Sequence, residues 1–140
     1  MRLRDKNARQ ACEALRDILV QEGITVPTAE IFFAEPNTGI PTSYITITPN
    51  GGISDREDVA EMILLLEINV KLLQNKNVNT IKMDYITNSI SSIFENPKTK
   101  DNYEFLISKD YNLFDYTDIT MGYGVKMINL FCRINRITNN

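Results

Sequence analysis

The spacing of apolar residues changes period several times along the chain, and each change predicts a new element. Between Asp5 and Glu22, Ala8, Ala11, Cys12, Leu15, Ile18 and Leu19 recur at helical spacing with charged residues between them. That is the stripe of an amphipathic surface helix. Gly23 follows as its stop, because glycine enters the left-handed conformation at little cost. "EIFFAE" (30–35) then predicts a short strand. "TSYITIT" (42–48) predicts another, with Ile45 and Ile47 on one face and Tyr44, Thr46 and Thr48 on the other. "PNTGIP" (36–41), with its two prolines, predicts a turn between them, so the two strands are expected to pair as a hairpin. "PNGG" (49–52) ends the second.

"EMILLLEINVKLLQN" (61–75) fits two templates. As a helix it would start from a capping box of Ser54 and Glu57 and bury Val59, Met62, Ile63, Leu66, Val70 and Leu73. As a strand it places Met62, Leu64, Leu66, Ile68, Val70 and Leu72 on one face without exception. The opposite face begins apolar at Ile63 and Leu65 and turns polar at Glu67, Asn69 and Lys71. The helix would leave Leu64, Leu65, Ile68 and Leu72 partly in water, so a long strand is expected, half exposed at its far end.

Helical period returns in "NVNTIKMDYITNSISSIFENP" (77–97), with Asn79 or Thr80 as cap and Met83, Ile86, Ile90, Ile93 and Phe94 as the buried line. Asn96-Pro97 is its stop. "NYEFLIS" (102–108) alternates as a strand. "KDYNLFDYTDITMGYG" (109–124) reads as a loop or an irregular strand. "VKMINLFCRINRIT" (125–138) is a final strand with Ile128, Leu130, Cys132 and Ile134 on one face. The order α-β-β-β-α-β-β predicts a single α+β domain over residues 1–140, a mostly antiparallel sheet with two helices packed on one face.

Composition narrows the function more than the fold. The chain has 140 residues, 43% of them hydrophobic and 24% charged, with a formal net charge of −3 from 15 Lys+Arg and 18 Asp+Glu. No global basic field would hold nucleic acid. No apolar run long enough to serve as a signal peptide or to reach the roughly 18 residues of a membrane span is found, and a soluble intracellular product is expected. Cys12 and Cys132 match no metal spacing and are expected as core thiols.

Histidine is absent. With it go the commonest general base, the commonest metal ligand and any Ser-His or Cys-His nucleophile. "PNGGIS" (49–54) lacks the lysine of a phosphate loop. "SDREDVAE" (54–61) gathers four acids without the alternation and central glycine of a calcium loop, and reads as a solvated loop. Tyr111, Phe114, Tyr116 and Tyr123 sit among aspartates, where a nucleic-acid surface needs arginine, and packing within the core or between subunits is the expected use. No catalytic residue, cofactor site or metal site is assigned.

The element order and several of these phrases resemble the tail terminator or tail completion proteins of long-tailed bacteriophages. The resemblance covers nearly the whole chain: "RQACEALRDILVQEG", "IFFAEPNTGIPTSYITITPNGG", "EMILLLEINVKLL", "NTIKMDYITNSISSIF", "YEFLIS" and the closing strand. Head-closure and neck ring proteins of the same viruses are similar. The resemblance implies a virion structural protein, a ring homo-oligomer, hexameric in the family, that caps the tail tube and meets the head–tail connector or portal-side proteins. It implies DNA only in passage through the lumen, and no membrane. Tyr111, Phe114, Tyr116 and Tyr123 are then the expected subunit or partner contacts. Asp55, Glu57, Asp58 and Glu61 are the acids expected to line the lumen. A neck or connector ring is the alternative role, and a small-ligand or peptide-binding module is the alternative of another class.

Overall fold

The computed structural model describes residues 3–24, 30–33, 42–49, 54–55, 59–107, 118–120 and 122–135. It is an α+β fold. Helix α1 (Leu3–Gln21) leads to β1 (Glu30–Phe32), β2 (Ser43–Pro49), β3 (Ser54–Asp55) and β4 (Val59–Lys71). Helix α2 (Thr80–Ile93) follows, then β5 (Lys98–Lys100), β6 (Tyr103–Leu106), β7 (Asp118–Thr120) and β8 (Tyr123–Asn135). One sheet runs in the order β1-β2-β4-β8-β6-β5, with β3 paired to β4 and β7 to β8.

The long central pair β4–β8 organises the molecule. It is antiparallel over the full span from Val59↔Asn135 to Lys71↔Tyr123. Period-two alternation therefore sends one set of side chains from both strands to the same side. Met62, Leu64, Leu66, Ile68 and Val70 of β4 are at most 1% exposed. Ile128, Leu130 and Cys132 beside them are fully buried. The strand reading of 61–75 holds as far as Lys71; Leu72 lies just past the strand and is half-buried.

Both helices cover that face. Ala11, Cys12, Ala14, Leu15, Ile18 and Leu19 of α1 and Met83, Ile86 and Ile90 of α2 join the same core as the strands. The expected caps are in place. Gly23 has φ +85°, its N–H donating to the Val20 carbonyl at 3.0 Å and that of Ile24 to Leu19 at 3.0 Å. That is a Schellman closure, with buried Ile24 packed in the core. At the start of α2 the Asn79 side chain accepts from the Lys82 N–H at 3.2 Å.

Two expectations are corrected. The strands flanking 36–41 do not form a hairpin: β1 pairs with β2 in parallel, Ile31 beside Ile45. A hairpin closed symmetrically over 36–41 would have set Ile31 beside Thr46, on the face away from the helices. In the parallel arrangement Ile31 and Phe33 pack against the core, and the Arg16 guanidinium of α1 lies 4.7 Å over the Phe33 ring. Packing under α1 thus decides the direction of a three-residue strand. "SDREDVAE" is not a loop throughout, because Ser54 pairs with Glu61 and Asp55 with Ala60. Within 109–124, expected as a loop or an irregular strand, Asp118–Thr120 forms β7, with Gly122 (φ +85°) just before β8.

Candidate assembly surface

The other face of the sheet is built by the alternate residues of the same strands, and both helices lie on the opposite side. Register places Ile63 of β4, Phe131 of β8 and Leu106 of β6 in one row across three neighbouring strands. All three are half-buried. Leu65 and Met127, also half-buried, extend this apolar area toward the middle of the sheet. Half-buried apolar side chains on a sheet face with no described helix over it would gain by burial against a further layer.

The next row is charged. Arg133 stands between two carboxylates, its Nε 3.7 Å from Glu61 Oε1 and its Nη1 3.9 Å from Glu104 Oε1. These are long, solvent-exposed contacts that contribute little stability. They do set the local sign, because two carboxylates share one guanidinium. A hollow of about 320 Å³ opens beside them, lined by Thr99, Asp101, Asn102, Glu104 and Arg133. Its lining is polar and its floor is the β5–β6 hairpin, whose turn places Asp101 at φ +56°.

At the opposite end of the sheet the outer face is closed by packing within the chain. Tyr123 and Tyr44 meet edge to face at 5.2 Å between ring centres. Tyr123 is only 6% exposed, and burial pushes its phenol above the usual range. Thr46 and Asn69 are buried nearby, and the Asn69 amide donates to the Glu67 carbonyl at 3.0 Å.

A second exposed apolar feature lies on α2. Ile81 and Tyr85 are 85% and 59% exposed. They are one turn apart and therefore on the same side of the helix. Lys82 between them reaches Thr42 Oγ1 at 3.5 Å.

Of the residues expected at the site, Tyr111, Phe114, Tyr116, Glu57 and Asp58 lie outside the described residues. Tyr123 is used within the chain. Glu61 faces outward and shares Arg133 with Glu104. Asp55 sits in β3, on the rung next to Glu61. Sequence reasoning did identify Ile63 and Leu65 as apolar on the second face of β4. Phe131, Leu106 and Met127 were missed as their continuation, although β8 carries Val125, Met127 and Phe131 on its second face. Ile81 and Tyr85 were visible only by exclusion, as large apolar residues off the buried line of α2.

The remaining chemistry is quiet. Cys12 and Cys132 are buried and free. Burial, with a contribution from Glu13, pushes the Cys12 thiol up to about 11; burial, with a contribution from Cys12, pushes Cys132 up to about 12. Both are poor nucleophiles near neutral pH. Among the described residues no cluster of His, Cys, Asp and Glu is placed to hold a metal ion, and no helix is long and apolar enough to cross a membrane. The chain matches no protein-family model and no curated protein.

Proposed function

We propose that this chain is the ring-forming subunit of a bacteriophage tail terminator or tail completion complex, capping the tail tube and meeting the head–tail connector. The observation that carries the reading is the outer sheet face. The apolar row Ile63–Phe131–Leu106, half-buried in the single chain, is bordered by a charged row and has no described helix over it. A structural subunit that works by repeated contact around a circle needs such a surface, and central apolar area with a polar rim is the usual anatomy of an interface. The element order along nearly the whole chain supports the same reading. No turnover and no cofactor are part of this role.

The test is assembly in the absence of the chain. Particles made without it should carry tails of irregular length, or tails not joined to heads, and adding back the purified chain should restore joining. An antibody label on complete particles should fall at the head-proximal end of the tail tube. A label on the portal side would assign the neck-ring role instead. Uniform, joined and infectious particles lacking the chain would exclude both.

A further inference from the structure

Within one subunit the apolar side of α2 and the apolar row of the outer sheet face lie on opposite sides of the sheet, so they do not meet. Ile81 is not needed by the core, and the sheet row is only half-buried. The buried side of α2 is supplied by Met83, Ile86, Thr87 and Ile90, leaving Ile81 at 85% exposure with no role in the core. Their surroundings differ in sign. The stretch 71–85, from the end of β4 into α2, carries three lysines and one aspartate. That aspartate, Asp84, already lies 4.0 Å from Lys126. The row next to Ile63, Phe131 and Leu106 holds Glu61 and Glu104 around a single arginine.

We infer that Ile81 and Tyr85 of one copy dock on the outer sheet face of a second copy, against Ile63, Phe131 and Leu106, with lysines of 71–82 facing Glu61 and Glu104. The inference rests on the ring reading and gives that ring its subunit contact. Two unlike surfaces on opposite sides of a subunit make a head-to-tail junction, which closes by rotation, whereas a two-fold dimer requires one surface to face itself. Apolar contact supplies the affinity. The charges set the register and make association fall with salt.

The junction is tested by sedimentation of the purified full chain in three forms: wild type, Ile81→Asp with Tyr85→Ser, and Phe131→Lys. The first pair lies at exposed positions and should leave folding intact. Phe131→Lys is checked by its melting curve, with Ile63→Thr as the milder substitute on the same face. The wild type should assemble, and each variant should weaken association about tenfold or more. The two variants mixed should give a dimer, because each retains the surface that the other has lost. A wild type that assembles while the Ile81→Asp, Tyr85→Ser form assembles equally well would overturn the junction and leave the ring reading standing. So would folded, monomeric variants that fail to pair on mixing. A wild type that stays a monomer at about 1 mM, where even millimolar contacts are half formed, would overturn both.

Discussion

Phe105 and Leu106 are chain neighbours on β6, and they serve opposite sides of the molecule. Phe105 is fully buried among residues of the helix-covered core. Leu106 is half-buried beside Phe131, on the side without a described helix. The same alternation divides β4 into Met62, Leu64 and Leu66 at no more than 1% exposure, against half-buried Ile63 and Leu65. The strands are common to both faces, so backbone pairing cannot explain the difference. What differs is the layer laid on each face. One is closed by α1 and α2 and holds the fold together. The other carries half-buried apolar side chains with no described helix over it, and on the proposed reading it makes the subunit contact. Substitutions on the two faces should therefore separate folding from assembly.

The largest separation is expected from Leu66→Asp. An unpaired carboxylate in the core costs several kcal/mol, roughly the whole stability of a domain of this size, or is forced to take up a proton. Thermal unfolding should show no cooperative transition. Lys71→Asp, exposed at the far end of the same strand, should change stability by no more than about 0.5 kcal/mol. An unchanged melting temperature for Leu66→Asp would mean the register of β4 is wrong.

A finer comparison uses one side chain type on both faces. Phe105→Ala should cost about 3–5 kcal/mol, the loss for a fully buried phenylalanine that leaves a cavity. Phe131→Ala, on a half-buried site that water can refill, should cost under about half of that in denaturant titration, and should show its larger effect on assembly. Equal destabilisation by the two would mean that the outer face is core.

Alkaline pH probes the covered face through its two thiols. Cys12 and Cys132 have folded-state values of about 11 and about 12, above the 9.0 of a free thiol. The unfolded chain thus loses these protons first as pH rises. Their contribution is complete below about pH 9 and is lost as pH climbs through the folded values. The melting temperature should fall from pH 9 upward, with raised Tyr103 and Tyr123 adding to the decline. Cys132→Ala should make that decline shallower. A slope unchanged by Cys132→Ala would place the thiol in a wetter site than the core.

A small effect is also expected at Arg133. Its two contacts are long, and its side chain is 51% exposed. Arg133→Ala should cost less than about 1 kcal/mol in thermal unfolding, while increasing the negative charge of the outer face.

Much of this division was legible in the sequence, for physical reasons that also explain what was not. Stripes of period 3.6 and 2 are local consequences of backbone geometry, so the core sides of α1, α2, β4 and β8 could be read directly. Gly23 and Asn79 were readable because caps depend on neighbouring residues only. The parallel pairing of β1 was not readable, since a three-residue strand carries little directional information and Ile31 and Phe33 are placed by α1. The row Ile63–Phe131–Leu106 depends on the register among three strands far apart in sequence. Its members could be suspected singly but not joined. The Glu61–Arg133–Glu104 contact depends on that same register.

The claim that one face folds the chain and the other assembles it is tested most directly by hydroxyl-radical footprinting of side chains, comparing the free chain with the chain in assembled particles. Ile81, Tyr85, Met127 and Phe131 should lose labelling on assembly, while Met62, Leu66 and Phe105 stay unlabelled in both states. Unchanged labelling at Tyr85, Met127 and Phe131, with protection appearing elsewhere, would contradict it.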